Sequence, residues 1–247
     1  MNGEQTITNK PVVADIGRGA GWLIDGFGYF SKAPLAWIGS IFLLIIIFIV
    51  MSVIPLLGGL AAQILMPVFF AGLLIGCHAQ DSGGEFTVNH LFAGFSRHTS
   101  QLVLLGVIYT IGIILISIAM VIIIFVLPGG VELARQMESG DIEQLRNAMR
   151  TFTLVILIGS ALYLPLLMAY WFAPALVALD DMSPVAAMKL SFTGCLYNIL
   201  PFLVYGIVGL VFCFIAAIPF LLGYLIFIPV ATASIYISYR EIFKSSN

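Results

Sequence analysis

Residues 32–81 read KAPLAWIGSIFLLIIIFIVMSVIPLLGGLAAQILMPVFFAGLLIGCHAQD, with no Asp, Glu, Lys or Arg between Lys32 and Asp81. A helix needs about 20 mainly apolar residues to cross the hydrocarbon of a bilayer. This stretch is long enough for two spans, 35–54 and 57–77, divided at Pro55 and Gly58-Gly59. The apolar run is near-continuous and lacks the alternation of a membrane β-strand. A helix also satisfies every backbone hydrogen bond within itself, as lipid demands. The stretch therefore reads as a hairpin of two transmembrane helices.

Three more uncharged tracts follow, at 98–131, 151–179 and 190–239. They hold one span at 102–127, one long span at 152–179, and two at 199–218 and 220–239, divided near Pro219. The expected fold class is thus an all-α membrane protein with six transmembrane helices. The whole composition agrees. Of 247 residues 61% are hydrophobic and 9% charged, against about 45–50% and about 25% in soluble domains. Ten Lys+Arg and twelve Asp+Glu cannot cover a soluble surface of this size, and a net charge of −2 without a basic patch excludes nucleic acid as a partner. A disordered chain is excluded by the same hydrophobicity.

With six spans both termini share a side. That side carries Lys10, Arg18, Lys32, Arg97, Lys189, Arg240 and Lys244, whereas the other carries Arg135, Arg146 and Arg150 in one loop. The excess places both termini in the cytoplasm of a bacterial inner membrane, with the inverted topology as the alternative. No apolar stretch precedes Trp22, so no cleavable secretory signal is expected and the chain inserts through its own spans.

Self-similarity suggests an internal triplication. GFGYFSKAPLAWIG at 26–39, LFAGFSRHTSQLVLLG at 91–106 and LSFTGCLYNILPFLVYG at 190–206 each run from an amphipathic piece into a span. Val88, Leu91, Phe92 and Phe95 share a helical face, as do Val185, Met188, Phe192 and Leu196. Thr87 reads as a cap for the second piece, and Asp181 or Ser183 with Pro184 begins the third. Ile54-Pro55, Leu164-Pro165 and Ile218-Pro219 form one motif, followed 9–12 residues later by Pro67, Pro174 and Pro229, and then by a closing acid, Asp81, Asp180 or Glu241. The expected organisation is a cytoplasmic tail (1–15), repeat 1 (16–82), repeat 2 (83–182), repeat 3 (183–243) and a short tail (244–247). Each repeat is a cytoplasmic surface helix followed by a helical hairpin, and all three run parallel. Repeat 2 has an enlarged loop at 128–150, with a break at Ser139-Gly140 and a helix begun at Asp141. Pro55, Pro67, Pro165, Pro174, Pro219 and Pro229 are read as structural kinks. They either only shape the bundle or frame a cavity or hinge about a pseudo-threefold axis.

The chemistry is sparse. No charged residue or His lies within any of the six expected spans, which argues against proton- or voltage-driven transport. Gln63 is the costliest polar side chain to bury there and is a weak ligand-binding candidate. Cys77, His78, Asp81, Glu85, His90 and His98 crowd one segment, but without an H-x-x-x-H or C-x-x-C pair no metal site is expected. Cys77, Cys195 and Cys213 are expected as free thiols. Asp180-Asp181, the one acidic pair, reads as a helix cap. No catalytic residue and no cofactor follow, so an enzyme is not expected. Trp22, Phe27, Phe30, Trp37, Phe92, Phe95 and Phe192 suit anchors at the membrane interface.

GWLIDGF with Phe30, Pro34 and Trp37, LFAGF at 91–95, WFAPALV at 171–177, S-F-x-x-C-x-x-N at 191–198 and SYREIF at 238–243 together resemble a family of proteobacterial multi-pass inner-membrane proteins of uncharacterised activity. In hydropathy and surface-helix layout the chain is more distantly similar to the six-helix membrane domain fused to some glycerophosphodiester phosphodiesterases. The resemblance implies location and architecture and carries no active residues to transfer. The expected role is a non-catalytic membrane component that handles or senses lipid, or scaffolds a membrane or cytoplasmic protein partner. The alternative is a passive pore or carrier for an uncharged or amphiphilic solute. The lipid bilayer is the expected partner, and the oligomeric state is open.

Overall fold

A computed structural model describes residues 11–126 and 142–244. The expected break at Ser139-Gly140 and helix start at Asp141 lie outside the described residues, as do most of the first tail and residues 245–247 of the last. Among the described residues the regular structure is all helical. Its elements are α1 (Arg18–Lys32), α2 (Pro34–Ser52), α3 (Leu57–Asp81), a 3₁₀ segment (Val88–Phe95), α4 (Thr99–Val126), α5 (Ile142–Trp171), α6 (Ala173–Asp180), α7 (Pro184–Tyr197), α8 (Ile199–Ala217) and α9 (Tyr224–Phe243).

Among the described residues, six stretches are long and apolar enough to cross a membrane: Pro34–Ser52, Leu57–Asp81, Thr99–Phe125, Met149–Asp180, Ile199–Ala217 and Tyr224–Phe243. Their ends differ from the expected ones for a physical reason. α3 runs on through His78 to Asp81, and α9 starts four residues later than expected and continues through Arg240 and Glu241. Ion pairs at those ends let a helix keep its backbone bonds while carrying charge. The expected start of the last span fails because Phe220 and Leu221 have φ of 49° and 68°. Bulky side chains at positive φ belong to a turn, not to a helix.

Pro55 and Pro219 lie in turns between helices and end them instead of kinking them. Pro67, Pro165 and Pro229 lie within α3, α5 and α9. At Pro174 the fourth span is interrupted: α5 stops at Trp171 and α6 begins at Ala173. The Ser191 hydroxyl of α7 enters that gap. It accepts the Phe172 N–H at 2.9 Å and donates to the Met168 carbonyl at 2.7 Å. The break thus replaces one i→i−4 bond by two bonds through a side chain.

The chain forms two compact units, one of residues 1–107 and 168–247, the other of 108–167. In the second, Leu166 packs on Gly112, Met120 on Gly159, and the Tyr109 and Tyr163 hydroxyls lie 3.1 Å apart.

In the first unit the buried residues gather at the end of the spans that carries the described termini. They include Trp37 and Ile41 at the start of α2, most of the residues from Val68 to Cys77 in the second half of α3, all of α6 up to Ala178, and most of those from Val230 to Phe243 in α9. Towards the opposite end Ile49, Val53, Leu57, Leu210, Phe214 and Ile218 are exposed. An exposed apolar surface of that extent is unsustainable in water and is what hydrocarbon requires.

α1 lies across the α8–α9 pair. Gly19 meets the backbone of α8 at Pro201 and Tyr205, and Gly26 meets that of α9 at Val230 and Ser234. The two glycines are seven residues apart, about 10 Å along a helix, close to the usual 8–10 Å between neighbouring helix axes. Beyond α9 the same helix reaches α3, where Gln80 Nε2 donates to the Tyr29 carbonyl at 3.3 Å. The 3₁₀ segment packs on α3 and α2 in a related way, with Gly94 on the Val68 carbonyl and Gly72 beneath His90 and Leu91. α7 packs on α6.

Candidate functional site

The closing acids occupy one end of the first unit. Glu241 takes two hydrogen bonds from Arg18 Nε, both at 3.0 Å, one ion pair from Arg18 Nη2 at 2.8 Å and one bond from Trp22 Nε1 at 2.9 Å. The same Nη2 also pairs with Asp25 at 2.9 Å. Hydrogen bonding to Glu241 outweighs the cost of burial and raises the Arg18 pKa, keeping the guanidinium charged. Asp81 pairs with Arg240 and accepts the Tyr29 hydroxyl at 2.8 Å and the Tyr236 hydroxyl at 3.3 Å. Burial first, then the nearby Asp81 carboxylate, raise the Tyr29 pKa. Asp180 pairs with Lys244 at 2.6 Å and accepts the Tyr239 hydroxyl at 2.5 Å. Asp181 pairs with His98 at 2.6 Å. Both of these last residues have positive φ and sit just outside helices. Glu241, Asp81 and Asp180 are thus each paired with a Lys or Arg, the last two also with tyrosine, and the arrangement ties α1, α3, α6 and α9 together.

The same crossing of α1 over α8 and α9 creates a concavity of different character. On its polar side α1 presents Arg18, Asp25 and Tyr29. On its other side Leu23, Ile24 and Phe27 roof a pocket of about 500 Å³ whose walls are Phe212, Ile215 and Ala216 of α8 and Ile226, Phe227 and Val230 of α9. Pro219 and Gly223 of the connecting turn complete it. The volume is that of an ordinary small-ligand site. None of the lining side chains carries a hydrogen-bonding group, so the pocket can select only apolar matter. Exposure is graded within it. Leu23, Ala216 and Val230 are 2%, 7% and 8% exposed, whereas Ile24 and Ile215 are 68% and 53%. The pocket is therefore covered at Leu23, Ala216 and Val230 and open at Ile24 and Ile215, on the apolar flank of the two spans.

Gln63 is half-buried in α3 and is not part of this lining. Pro219 lines the pocket, while Pro67 and Pro229 each precede a carbonyl, of Val68 and Val230, on which a glycine of another element rests. Of the expected interface anchors, Phe27, Phe92 and Phe95 are exposed, and Phe192 is half-buried. Trp22, Trp37 and Phe30 are core residues. Trp22 stacks obliquely on Phe202 at 5.3 Å, and Trp37 lies flat on Phe86 at 3.9 Å. Their helices dock an apolar face on protein, so these rings do not reach a headgroup layer. No group of His, Cys, Asp and Glu suited to a metal ion occurs among the described residues.

The S-F-x-x-C-x-x-N motif turns out to be structural. Ser191, Cys195 and Asn198 share one face of α7 by their i, i+4, i+7 spacing. Cys195 Sγ approaches the Met168 carbonyl at 3.5 Å. Asn198 accepts the Ala14 N–H at 2.8 Å and donates to the carbonyls of Val12 and Gly194 at 3.0 and 2.9 Å. Desolvation raises the Cys195 pKa to about 12. The spacing signals a common face, but most of its partners lie on other elements, those of Asn198 at Val12 and Ala14 more than 180 residues away in sequence.

No family model matches the chain. No solved structure matches it either. A curated protein of Burkholderia thailandensis, described as a probable inner membrane protein, is 30% identical over 193 residues, covering 75% of this chain and 70% of the relative. With six helices able to span a bilayer, and similarity over that much of both sequences, the chain belongs to the family of that inner membrane protein and is itself a multi-pass protein of the inner membrane.

Proposed function

We propose that the protein is a non-catalytic membrane component that binds lipid, accepting an acyl chain into the pocket beneath α1. The observation that carries this reading is the pocket itself: about 500 Å³, lined by eleven residues whose side chains carry no polar group, and open on the flank of two spans. In a bilayer that flank faces hydrocarbon, so the matter present at the mouth is lipid. Replacing Ile215 or Ile226 at the exposed mouth by Trp fills the entrance without touching the core. Lipid retained by the wild type after purification in mild detergent, measured by native mass spectrometry and extraction, should fall several-fold in either variant. Equal retention would count against the pocket as the lipid site.

The architecture fits three helical-hairpin repeats, each led by its own helix. A cyclic pattern of packing supports that reading. The lead helix of repeat 1 rests on the hairpin of repeat 3, the lead segment of repeat 2 on the hairpin of repeat 1, and the lead helix of repeat 3 on the last helix of repeat 2. The equivalent carbonyls after Pro67 and Pro229 each receive a glycine of the incoming element. The bias of Lys and Arg supports cytoplasmic termini. A reporter active only in the periplasm, fused after Asn247, should be silent; activity would invert the topology.

A further inference from the structure

Two elements of the first unit cross a helical hairpin in the same way. Gly94 of the 3₁₀ segment sits on the Val68 carbonyl of α3, and Gly26 of α1 on the Val230 carbonyl of α9. Each carbonyl follows a proline within its helix, Pro67 or Pro229. The neighbours of the two glycines match. Three residues before them, Leu91 and Leu23 are buried. Two before and one after, Phe92 and Phe95 in one element and Ile24 and Phe27 in the other are exposed. On the opposite arm Phe48 and Phe212 each stand seven residues before the proline of the turn, Pro55 or Pro219.

The chain itself fills the first crossing. Phe69, two residues after Pro67, is 4% exposed, and its ring centroid lies 5.1 Å from that of Phe95, 6.2 Å from Phe92 and 5.8 Å from Phe48. The counterparts of these three partners, Phe27, Ile24 and Phe212, all line the pocket at the second crossing. The counterpart of Phe69, two residues after Pro229, is Ala231. Ala231 lies one helical turn beyond Phe227 of the lining. A side chain on a helix leans back over the preceding turn, so a larger residue at 231 would reach toward the pocket.

We infer that Ala231 is the residue that opens the pocket to lipid: alanine withholds the side chain that Phe69 supplies at the first crossing, and an acyl chain takes its place. This inference rests on the lipid-binding reading above and adds the residue that decides whether the site is vacant. Ala231→Leu and Ala231→Phe restore a filling side chain, whereas Ile207→Phe adds bulk on an exposed part of α8 outside the lining. Each protein is reconstituted with dioleoylphosphatidylglycerol and re-isolated in mild detergent, and its retained lipid is counted by native mass spectrometry. Retention should fall from wild type to Ala231→Leu to Ala231→Phe, several-fold in the last, and stay at the wild-type level in Ile207→Phe. Phe69→Ala should gain a bound lipid, because removing a buried ring leaves an apolar cavity and this one is bordered by the exposed Phe92 and Phe95. Wild-type retention in folded Ala231→Phe, with loss in Ile215→Trp, would refute the role of Ala231 while leaving lipid binding in the pocket intact. A wild type that retains no lipid would overturn the lipid reading and this inference with it. Should Ala231→Phe fail to fold, Ala231→Leu and Phe69→Ala still decide, and a folded Phe69→Ala without added lipid would overturn the correspondence of the two crossings.

Discussion

Replacing Lys244 by Met should destabilise the protein far more than removing an ion pair at its surface. The Asp180 side chain is 1% exposed and the Lys244 side chain 16%, with Nζ and Oδ1 2.6 Å apart. Among the described residues the carboxylate has one further donor, the Tyr239 hydroxyl. Without Lys244 a buried carboxylate keeps a single neutral hydrogen bond, and stranding one partner of a buried pair costs about 3–5 kcal/mol. For a chain of this size each kcal/mol moves the melting temperature by roughly 2–4 °C, so a fall on the order of 10 °C is expected. The comparison is Asp25→Asn, which removes the charge from the Arg18–Asp25 contact between side chains 36% and 46% exposed and should cost at most about 1 kcal/mol. Replacing the whole group with apolar residues, as Asp180→Leu with Tyr239→Phe and Lys244→Met, leaves no uncompensated charge and should recover most of the loss. Tryptophan fluorescence during heating in mild detergent measures all of these. Lys244→Met melting within about 2 °C of the wild type, or Asp25→Asn losing as much, would refute the claim that burial decides the energy.

Gly26→Ala should disrupt the crossing of α1, because its methyl would meet the Val230 carbonyl, whereas Gly28→Ala meets nothing and should stabilise α1 by up to about 1 kcal/mol; paired melting curves test the contrast. Ser191→Ala strips the Phe172 N–H and the Met168 carbonyl of their shared partner and should cost about 1–3 kcal/mol, visible as faster proteolysis near Phe172. Since burial holds the Cys195 thiol at about 12, its thiolate is scarce at every pH well below that value. In a Cys77→Ser, Cys213→Ser background maleimide should therefore label Cys195 at pH 8 only after denaturation, and prompt labelling of the folded protein would contradict its burial.

The spans were legible because lipid imposes one strict condition, an uninterrupted apolar helix, and composition alone reveals where it is met. Their ends were not, because a charge at the end of a span is tolerated only through its partner. Asp81 and Arg240 are about 160 residues apart in sequence, and Asp180 and Lys244 about 60, so periodicity is blind to both. The break at Phe172 has the same origin: Pro174 announces a disturbance, but the hydroxyl that makes a clean interruption affordable comes from Ser191 on a later helix. The reading of Trp22 and Trp37 as interface anchors failed for a related reason. An amphipathic helix beside a membrane has one apolar face, and its sequence does not say whether that face meets lipid or protein. α1 does both. Trp22 and Phe30 turn into the core, while Ile24 and Phe27 stay exposed and, with Leu23, roof the pocket. The pocket exists because one short helix with glycines at the two crossing points can lie close across two spans and still hold its larger apolar side chains over the gap between them. That arrangement needs three segments from opposite ends of the chain. It explains why the amphipathic pattern was visible in residues 18–32 and its consequence was not.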